Sequence, residues 1–148
     1  MLTGKHTDIS SLYLQVKTGG DIAAITGMIK HVLAAEEKKW AAEKTHVLDV
    51  DFIEQHTRGF DEVKRHAEAL SWDEIERESG LARADIEQAA EVYVRAKNTI
   101  FMYGMGLTQH VHGFDSLAAL VNLALMKGNL GREGAGVSPV RGHSNVQG

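Results

Sequence analysis

The chain has no cysteine among its 148 residues and only one proline. The missing cysteines exclude a disulfide, a thiolate nucleophile and iron–sulfur ligation by this chain. It also has no apolar run of about 18 residues, the length that a membrane-spanning helix requires. The formal charge of −4 gives no electrostatic reason to expect nucleic acid. We therefore expect neither a membrane span nor a nucleic-acid partner.

The length and composition favour a single folded domain. A chain of 148 residues supports one hydrophobic core, and two compact domains are not expected. Hydrophobic residues make up 43% and charged residues 24%, which is ordinary for a globular protein. We therefore treat residues 1–148 as one domain, with a separate glycine-rich segment at residues 128–148.

The spacing of apolar residues predicts helices that alternate with short strands. Ser71 and Glu74 form a capping-box pattern that starts one helix, and Gly80 is a natural end for it. Asp21 is expected to be the N-cap of the first long helix. Only two strands are convincing, so we expect an α/β domain with a small, mainly parallel sheet and covering helices. The predicted strands are residues 12–16 and 99–103; the predicted helices are residues 22–35 with a possible extension to 44, 51–56, 60–70, a short one from 72, 83–96 and 114–125.

The glycines after the second predicted strand indicate a ligand loop. Gly104 and Gly106 begin a dinucleotide-like pattern, but Gln109 stands where the third glycine belongs, and no helix is expected to start at once. These departures argue against a nicotinamide dinucleotide site. Ligands of open α/β sheets bind at the carboxyl ends of strands, and the amide of Gln109 both donates and accepts hydrogen bonds. The alternative is a tight turn without a ligand.

The last residues combine an arginine with glycines and amides. Arg141 is followed by Gly142 and His143, and the segment carries little other charge. Glycine lets the backbone approach a ligand closely, and the planar guanidinium of arginine offers several donors. Together they suit an anion or a flat polar cofactor. A solvated tail is the alternative interpretation of such an end.

His110 and His112 form an H-x-H pattern that could serve a transition metal. No third ligand follows at a recognisable spacing, so two loop histidines are the favoured interpretation. We therefore predict no metal ligands in this chain.

Three segments, in this order, resemble the molybdopterin oxidoreductases, and most closely the catalytic subunits of formate dehydrogenases. They are G-M-G-L-T-Q-H at 104–110, L-x-x-L-x-N-L-A-L-M-x-G-N-L-G-R-x-G-x-G-V at 117–137 and P-V-R-G-H-S-N-V-Q-G at 139–148. Weaker resemblance extends back to about residue 12. Catalytic subunits of that family are several times longer, so we expect the chain to be an internal segment of one.

The resemblance implies a cofactor and residues that contact it. The cofactor would be molybdopterin guanine dinucleotide carrying molybdenum or tungsten, held by part of a nucleotide-binding-like domain. The positions of Met105 and Gln109 match residues that contact it. Gly19, Gly20 and Asp21 lie where the family has a Pro-Gly-Thr-Asp-like turn that lines the guanine end; the first Gly and the Asp match.

The resemblance also implies a catalytic role for Arg141. The matching arginine of formate dehydrogenases lies beside the metal and holds the small anionic substrate. Gly142 and His143 would line the cofactor, so residues 128–148 become a cofactor-facing segment. His143 and Ser144 replace two amides of the formate enzymes, so formate is a model substrate rather than an assigned one.

The implied parent enzyme carries out a two-electron reaction on a small molecule. Its metal-binding cysteine or selenocysteine and its iron–sulfur cluster would be supplied by the rest of the parent subunit. The chain starts without a signal-peptide pattern, so we expect a cytoplasmic location. Any signal of a longer parent would lie outside this segment. The alternative from another class is a stand-alone, non-catalytic nucleotide- or pterin-binding module.

Overall fold

The computed structural model describes residues 10–140, and within them it has seven helices and two strands. In chain order these are α1 Asp21–Glu43, α2 Val50–His56, α3 Phe60–Ala69, α4 Trp72–Ser79, α5 Arg83–Arg95, β1 Ile100–Tyr103, α6 Met105–Thr108, α7 Gly113–Met126 and β2 Gly136–Pro139. None of the helices in this part of the chain is long and apolar enough to cross a membrane.

Helix α1 is the centre of the fold, with α3, α4, α5 and α7 packed around it. One apolar cluster joins α1 to α2, α3, α5 and α7, and a second joins α1 to α4 and α5. Gly27 allows the second cluster to form, since a β-carbon there would lie 2.9 Å from Ile86 and 3.0 Å from Ile75. We call these two clusters the helical core.

The predicted helix boundaries are largely confirmed where the signal is local. Ser71 and Glu74 form both hydrogen bonds of the capping box, and Gly80 ends α4 in the left-handed conformation. Helix α1 continues through the charged stretch to Glu43, as the longer alternative proposed. The N-cap is Gly20 rather than Asp21, which is the first helical residue and makes no capping bond. Asp21 therefore interacts with the helix N-terminus only through its negative charge in the first turn.

The sheet consists of two parallel strands, β1 and β2, which confirms a small parallel sheet in a helix-rich α/β fold. Ile100 pairs with Gly136 and Tyr103 pairs with Pro139. The predicted strand at residues 12–16 is wrong, because within residues 10–140 that segment forms no strand. Its Leu14 and Val16 pack on the second apolar cluster instead.

Strand β2 lies where the sequence predicted only a glycine loop. Helix α6 is a second difference, because it begins directly after Gly104 although no helix was expected there. Helix α7 is apolar nearly all round, but its side chains are unevenly buried: Leu123 is fully buried, whereas Phe114 is 85% exposed. In its first turn Gly113 and Ser116 are buried, so only part of that turn is exposed.

Candidate functional site

The carboxyl ends of the two strands meet at one edge of the sheet. The amide of Val140, the residue after β2, donates to the carbonyl of Tyr103 over 2.7 Å, so the two strands end side by side. A β-carbon on Gly104 would lie 3.8 Å from the Val140 carbonyl oxygen. Arg141 follows Val140 in the sequence; Arg141, Gly142 and His143 lie outside the described residues, so their roles stay predictions.

The segment after β1 forms one helical turn that exposes the predicted ligand residues. Leu107 donates its amide to the Gly104 carbonyl over 3.2 Å, and Gln109 donates to the Met105 carbonyl over 2.8 Å. The side chain of Met105 is 57% exposed, and Gln109 is exposed as well. Because both side chains are exposed within the described residues, a ligand at the strand ends could reach them.

The turn at residues 18–21 is held rigidly against the end of α4. Gly20 donates its amide to the Lys17 carbonyl over 2.8 Å, and Lys17 donates to the Ser79 carbonyl over 2.8 Å. A β-carbon on Gly20 would lie only 2.6 Å from the Glu78 carbonyl oxygen, so a side chain does not fit there. Asp21 then starts α1, half-buried at its N-terminus.

The two predicted cofactor segments, far apart in sequence, meet at Gly19 and His110. Gly19 has a φ of +80°, which favours glycine, and a β-carbon on it would lie 2.9 Å from Nε2 of His110. The structure thus brings the 18–21 turn to the segment that carries Met105 and Gln109. We call the group formed by residues 18–21, residues 104–110 and Val140 the strand-end site.

His110 was singled out in the sequence only as half of an H-x-H pattern. Its neighbour Gly19 lies near the other end of the chain, and no local signal in the sequence links the two. The rings of His110 and His112 are 5.7 Å apart, and His112 approaches Asp115 at 3.6 Å. In residues 10–140, no group of three or more His, Cys, Asp or Glu side chains could hold a metal ion.

The strand-end site contains hydrogen-bond donors and acceptors that suit a polar ligand. The first turn of α1 has backbone N–H groups without partners inside the helix. The N-cap residue Gly20 has no side chain, so it makes no capping hydrogen bond to them. Asp21 adds a carboxylate acceptor, and Gln109 adds an amide that both donates and accepts. Glycines at positions 19 and 104 keep the backbone free of side-chain bulk.

A second concave region lies away from this site, between the ends of α1 and α5. It is a cavity of about 480 Å³ lined among others by Lys39, Lys127 and Arg132. Lys127 donates to the carbonyls of Tyr93, Val94 and Ala96 at 2.6–2.9 Å, so it caps α5. Burial, and then the charges of Arg132 and Lys39, lower the pKa of Lys127. Arg132 likewise donates to the Lys97 carbonyl and to Oδ1 of Asn129, each over 2.8 Å, so both it and Lys127 bind oxygens of this chain.

The cavity also adjoins a buried polar pair. Tyr93 donates to the Leu123 carbonyl over 2.6 Å and accepts from Asn129 over 3.0 Å. Burial raises the pKa of Tyr93 to about 12. The hydroxyl therefore stays protonated and links α5 to α7.

The chain is similar along its length to curated proteins that include two named as formate dehydrogenases. It is 47% identical over 148 residues to Protein YdeP of Escherichia coli (strain K12), covering 100% of this chain and 20% of that protein. It is 35% identical over 147 residues to the F420-dependent formate dehydrogenase subunit alpha of Methanocaldococcus jannaschii, covering 99% of this chain and 20% of the subunit. Against formate dehydrogenase H of Escherichia coli the identity is 35% over 140 residues, covering 95% and 18%.

The chain spans about a fifth of the length of the curated relatives it matches. No family model matches it. The similarity includes two proteins named as formate dehydrogenases, and it reaches across the whole strand-end site. The resemblance expected from the three C-terminal segments is thereby confirmed.

Proposed function

We propose that this chain, which is similar along its length to formate dehydrogenase subunits, forms the cofactor-binding wall of a molybdopterin-dependent enzyme. In this proposal the strand-end site holds molybdopterin guanine dinucleotide within a nucleotide-binding-like domain. The remainder of a longer catalytic subunit supplies the metal ligand and an iron–sulfur cluster. The longer subunit is located in the cytoplasm.

The observation that carries the proposal is the meeting of Gly19 with His110. The resemblance assigns cofactor contacts to Gly19, Gly20 and Asp21 in one segment and to Met105 and Gln109 in another. If only one of these assignments held, nothing would require the two segments to be neighbours. Their contact supports the proposal that both assignments belong to one common site, near the carboxyl ends of the strands where ligands of open α/β sheets bind.

The residues present fit the proposed group. The side chain of Asp21 would accept hydrogen bonds from the guanine end, and Met105 and Gln109 would lie against the pterin. The glycine backbone at positions 19 and 20 permits close approach. When bound, the cofactor would supply the metal centre for two-electron chemistry. The chain itself would bind and orient it.

Arg141 would hold the substrate in this arrangement. It follows Val140, whose amide is bound at the end of β1 beside Gly104. A guanidinium makes charge-assisted, two-point contacts with a carboxylate such as formate and would orient it for reaction. Gly142 and His143 would continue the cofactor-facing segment.

Analysis of the purified full-length protein tests the proposal directly. We expect molybdenum or tungsten together with a pterin that releases guanosine monophosphate on acid hydrolysis, and dye reduction when formate or another small anion is supplied. Bound pterin without turnover on any small anion would favour the stand-alone binding module. Absence of both metal and pterin from protein made under cofactor-sufficient conditions would refute the proposal.

A further inference from the structure

We propose that His110 is a further cofactor-contacting residue, which donates a hydrogen bond from Nε2 to the part of the ligand lying against the 18–21 turn. This inference rests on the proposed function, since it assumes that a ligand occupies the strand-end site. The resemblance gave His110 no role, and the sequence pattern suggested only a pair of loop histidines.

The first step is the orientation of the ring. The backbone amide of His112 donates to Nδ1 of His110 over 3.1 Å. Nδ1 is therefore an acceptor, and the neutral imidazole carries its proton on Nε2. The amide of Gly113 also donates to the His110 carbonyl over 2.9 Å, which holds the backbone of the ring's own residue. The ring thus presents a fixed N–H donor.

The second step is where that donor lies. Nε2 is the ring atom closest to the position that a β-carbon would take on Gly19, at 2.9 Å. Gly19 immediately precedes the N-cap of α1. Within residues 10–140 Nε2 has no hydrogen-bond partner, and the ring is only half-buried. The Nε2–H group is thus held between the 18–21 turn and the 104–110 segment, with no acceptor among the described residues. It is suited to an acceptor atom of the ligand.

The third step is the glycine that lies opposite the ring. Gly19 has a left-handed φ of +80°, which by itself favours glycine, and a β-carbon there would lie 2.9 Å from Nε2 of the imidazole. With glycine at this position, the ring and the 18–21 turn lie side by side.

The test compares variants of His110 in the full-length enzyme carrying its cofactor. His110→Leu keeps bulk but removes the donor, whereas His110→Gln places an amide N–H near the position of Nε2. His112→Leu is the control, because that ring is exposed and the bond that orients His110 comes from the His112 backbone amide, which the substitution keeps. The readouts are the dissociation rate of the pterin dinucleotide after dilution into apo-protein acceptor and the melting temperature of the cofactor-free protein.

We expect His110→Leu to release the dinucleotide about five- to tenfold faster, as for the loss of one buried hydrogen bond. His110→Gln should recover to within about twofold of wild type, and His112→Leu should not differ, with similar melting temperatures for all cofactor-free variants. Wild-type release from His110→Leu would overturn this inference alone and leave the proposed function standing. The same holds if the leucine and glutamine variants are equally impaired. A wild-type protein without pterin would overturn both.

Discussion

The helical core and the strand-end site bury their side chains to very different extents. Ile75 and Ile86 in the helical core are each only 1% exposed. Around the strand-end site, Met105 is 57% exposed and Phe114 is 85% exposed, and Met102 on the outer face of β1 is 68% exposed. The helical core is completed by this chain's own residues. The strand-end region presents apolar and polar groups that the described chain does not cover.

This contrast separates two kinds of substitution. A change in the helical core should alter the free energy of unfolding and leave ligand binding per folded molecule intact. A change at the strand-end site should do the reverse. The turn at residues 18–21 connects the two, because it packs on the end of α4 and touches His110. The predictions below test this separation, beginning with the largest expected effect.

Ile86→Ala should destabilise the helical core most. Ile86 is 1% exposed and packs beside Gly27 on α1, so truncation leaves a cavity that rigid helices fill poorly. The expected loss is about 2–5 kcal/mol in the free energy of unfolding, measured by denaturant titration. The control Ile86→Val should lose only about 0.5–1.5 kcal/mol. Reduced pterin content in the folded, full-length Ile86→Ala enzyme would contradict the separation.

Arg141→Lys should act on catalysis and not on stability. If Arg141 makes a two-point contact with an anionic substrate, lysine cannot replace it. A loss of roughly 2–4 kcal/mol corresponds to about 30- to 1000-fold in kcat/KM, with metal and pterin content near normal. Gln109→Ala should instead lower cofactor content first. Full activity of Arg141→Lys on the true substrate would show that Arg141 is structural.

The sequence predicted the elements whose signals are local. The Ser71–Glu74 capping box and the Gly80 end of α4 depend on neighbours within one turn, and both are confirmed. At residues 12–16 the exposure of the side chains alternates as in a strand, since Leu14 and Val16 pack on the core and Tyr13 is 75% exposed. The sequence of this segment could not show that none of the strands in the described part of the chain pairs with it.

The sequence did not predict the features that depend on distant partners. Strand β2 contains Gly136 and Pro139, which have low strand propensity, and it forms because β1 offers its edge. The contact of Gly19 with His110 likewise joins opposite parts of the chain. The resemblance to a known family identified the candidate ligand residues, but only the fold places two of their segments in one site.

Gly20→Ala should affect both regions, because it lies where they join. The added β-carbon would sit 2.6 Å from the Glu78 carbonyl and 2.8 Å from the Ser79 α-carbon, both backbone atoms that cannot rotate away. We expect a loss of about 1–3 kcal/mol in unfolding free energy together with faster release of cofactor. The control Gly106→Ala has open space around the new atom and lies in α6, so it should leave stability unchanged or slightly higher.

For this pair, equal stability of the Gly20→Ala protein and wild type would mean that the turn moves easily. The close packing on α4 would then not position the strand-end site. Loss of stability with unchanged cofactor release would place Gly20 in the helical core alone.

The smallest expected effect is a pH-dependent one at the far end of α1. Glu36 accepts hydrogen bonds from the amides of Val47 at 2.6 Å and Leu48 at 3.0 Å, and it pairs with His46. Partial burial opposes ionisation, but these hydrogen bonds outweigh it and lower the pKa of Glu36 below its ordinary value of 4.5. The unfolded chain therefore binds the proton more readily than the folded one, and ionised Glu36 stabilises the fold.

That contribution should be fully present above the ordinary carboxyl pKa and lost as pH falls through the lower pKa of the folded protein. Glu36→Gln keeps an acceptor but not the charge, so we expect it to lose about 1 kcal/mol at pH 7 and to approach wild-type stability at acidic pH. Denaturant titration at several pH values measures the gap. Because Glu36 is remote from residues 18–21 and 104–110, cofactor release should not change. A gap that stays constant with pH would mean that the charge of Glu36 contributes nothing, and that its hydrogen bonds to the loop act as neutral ones.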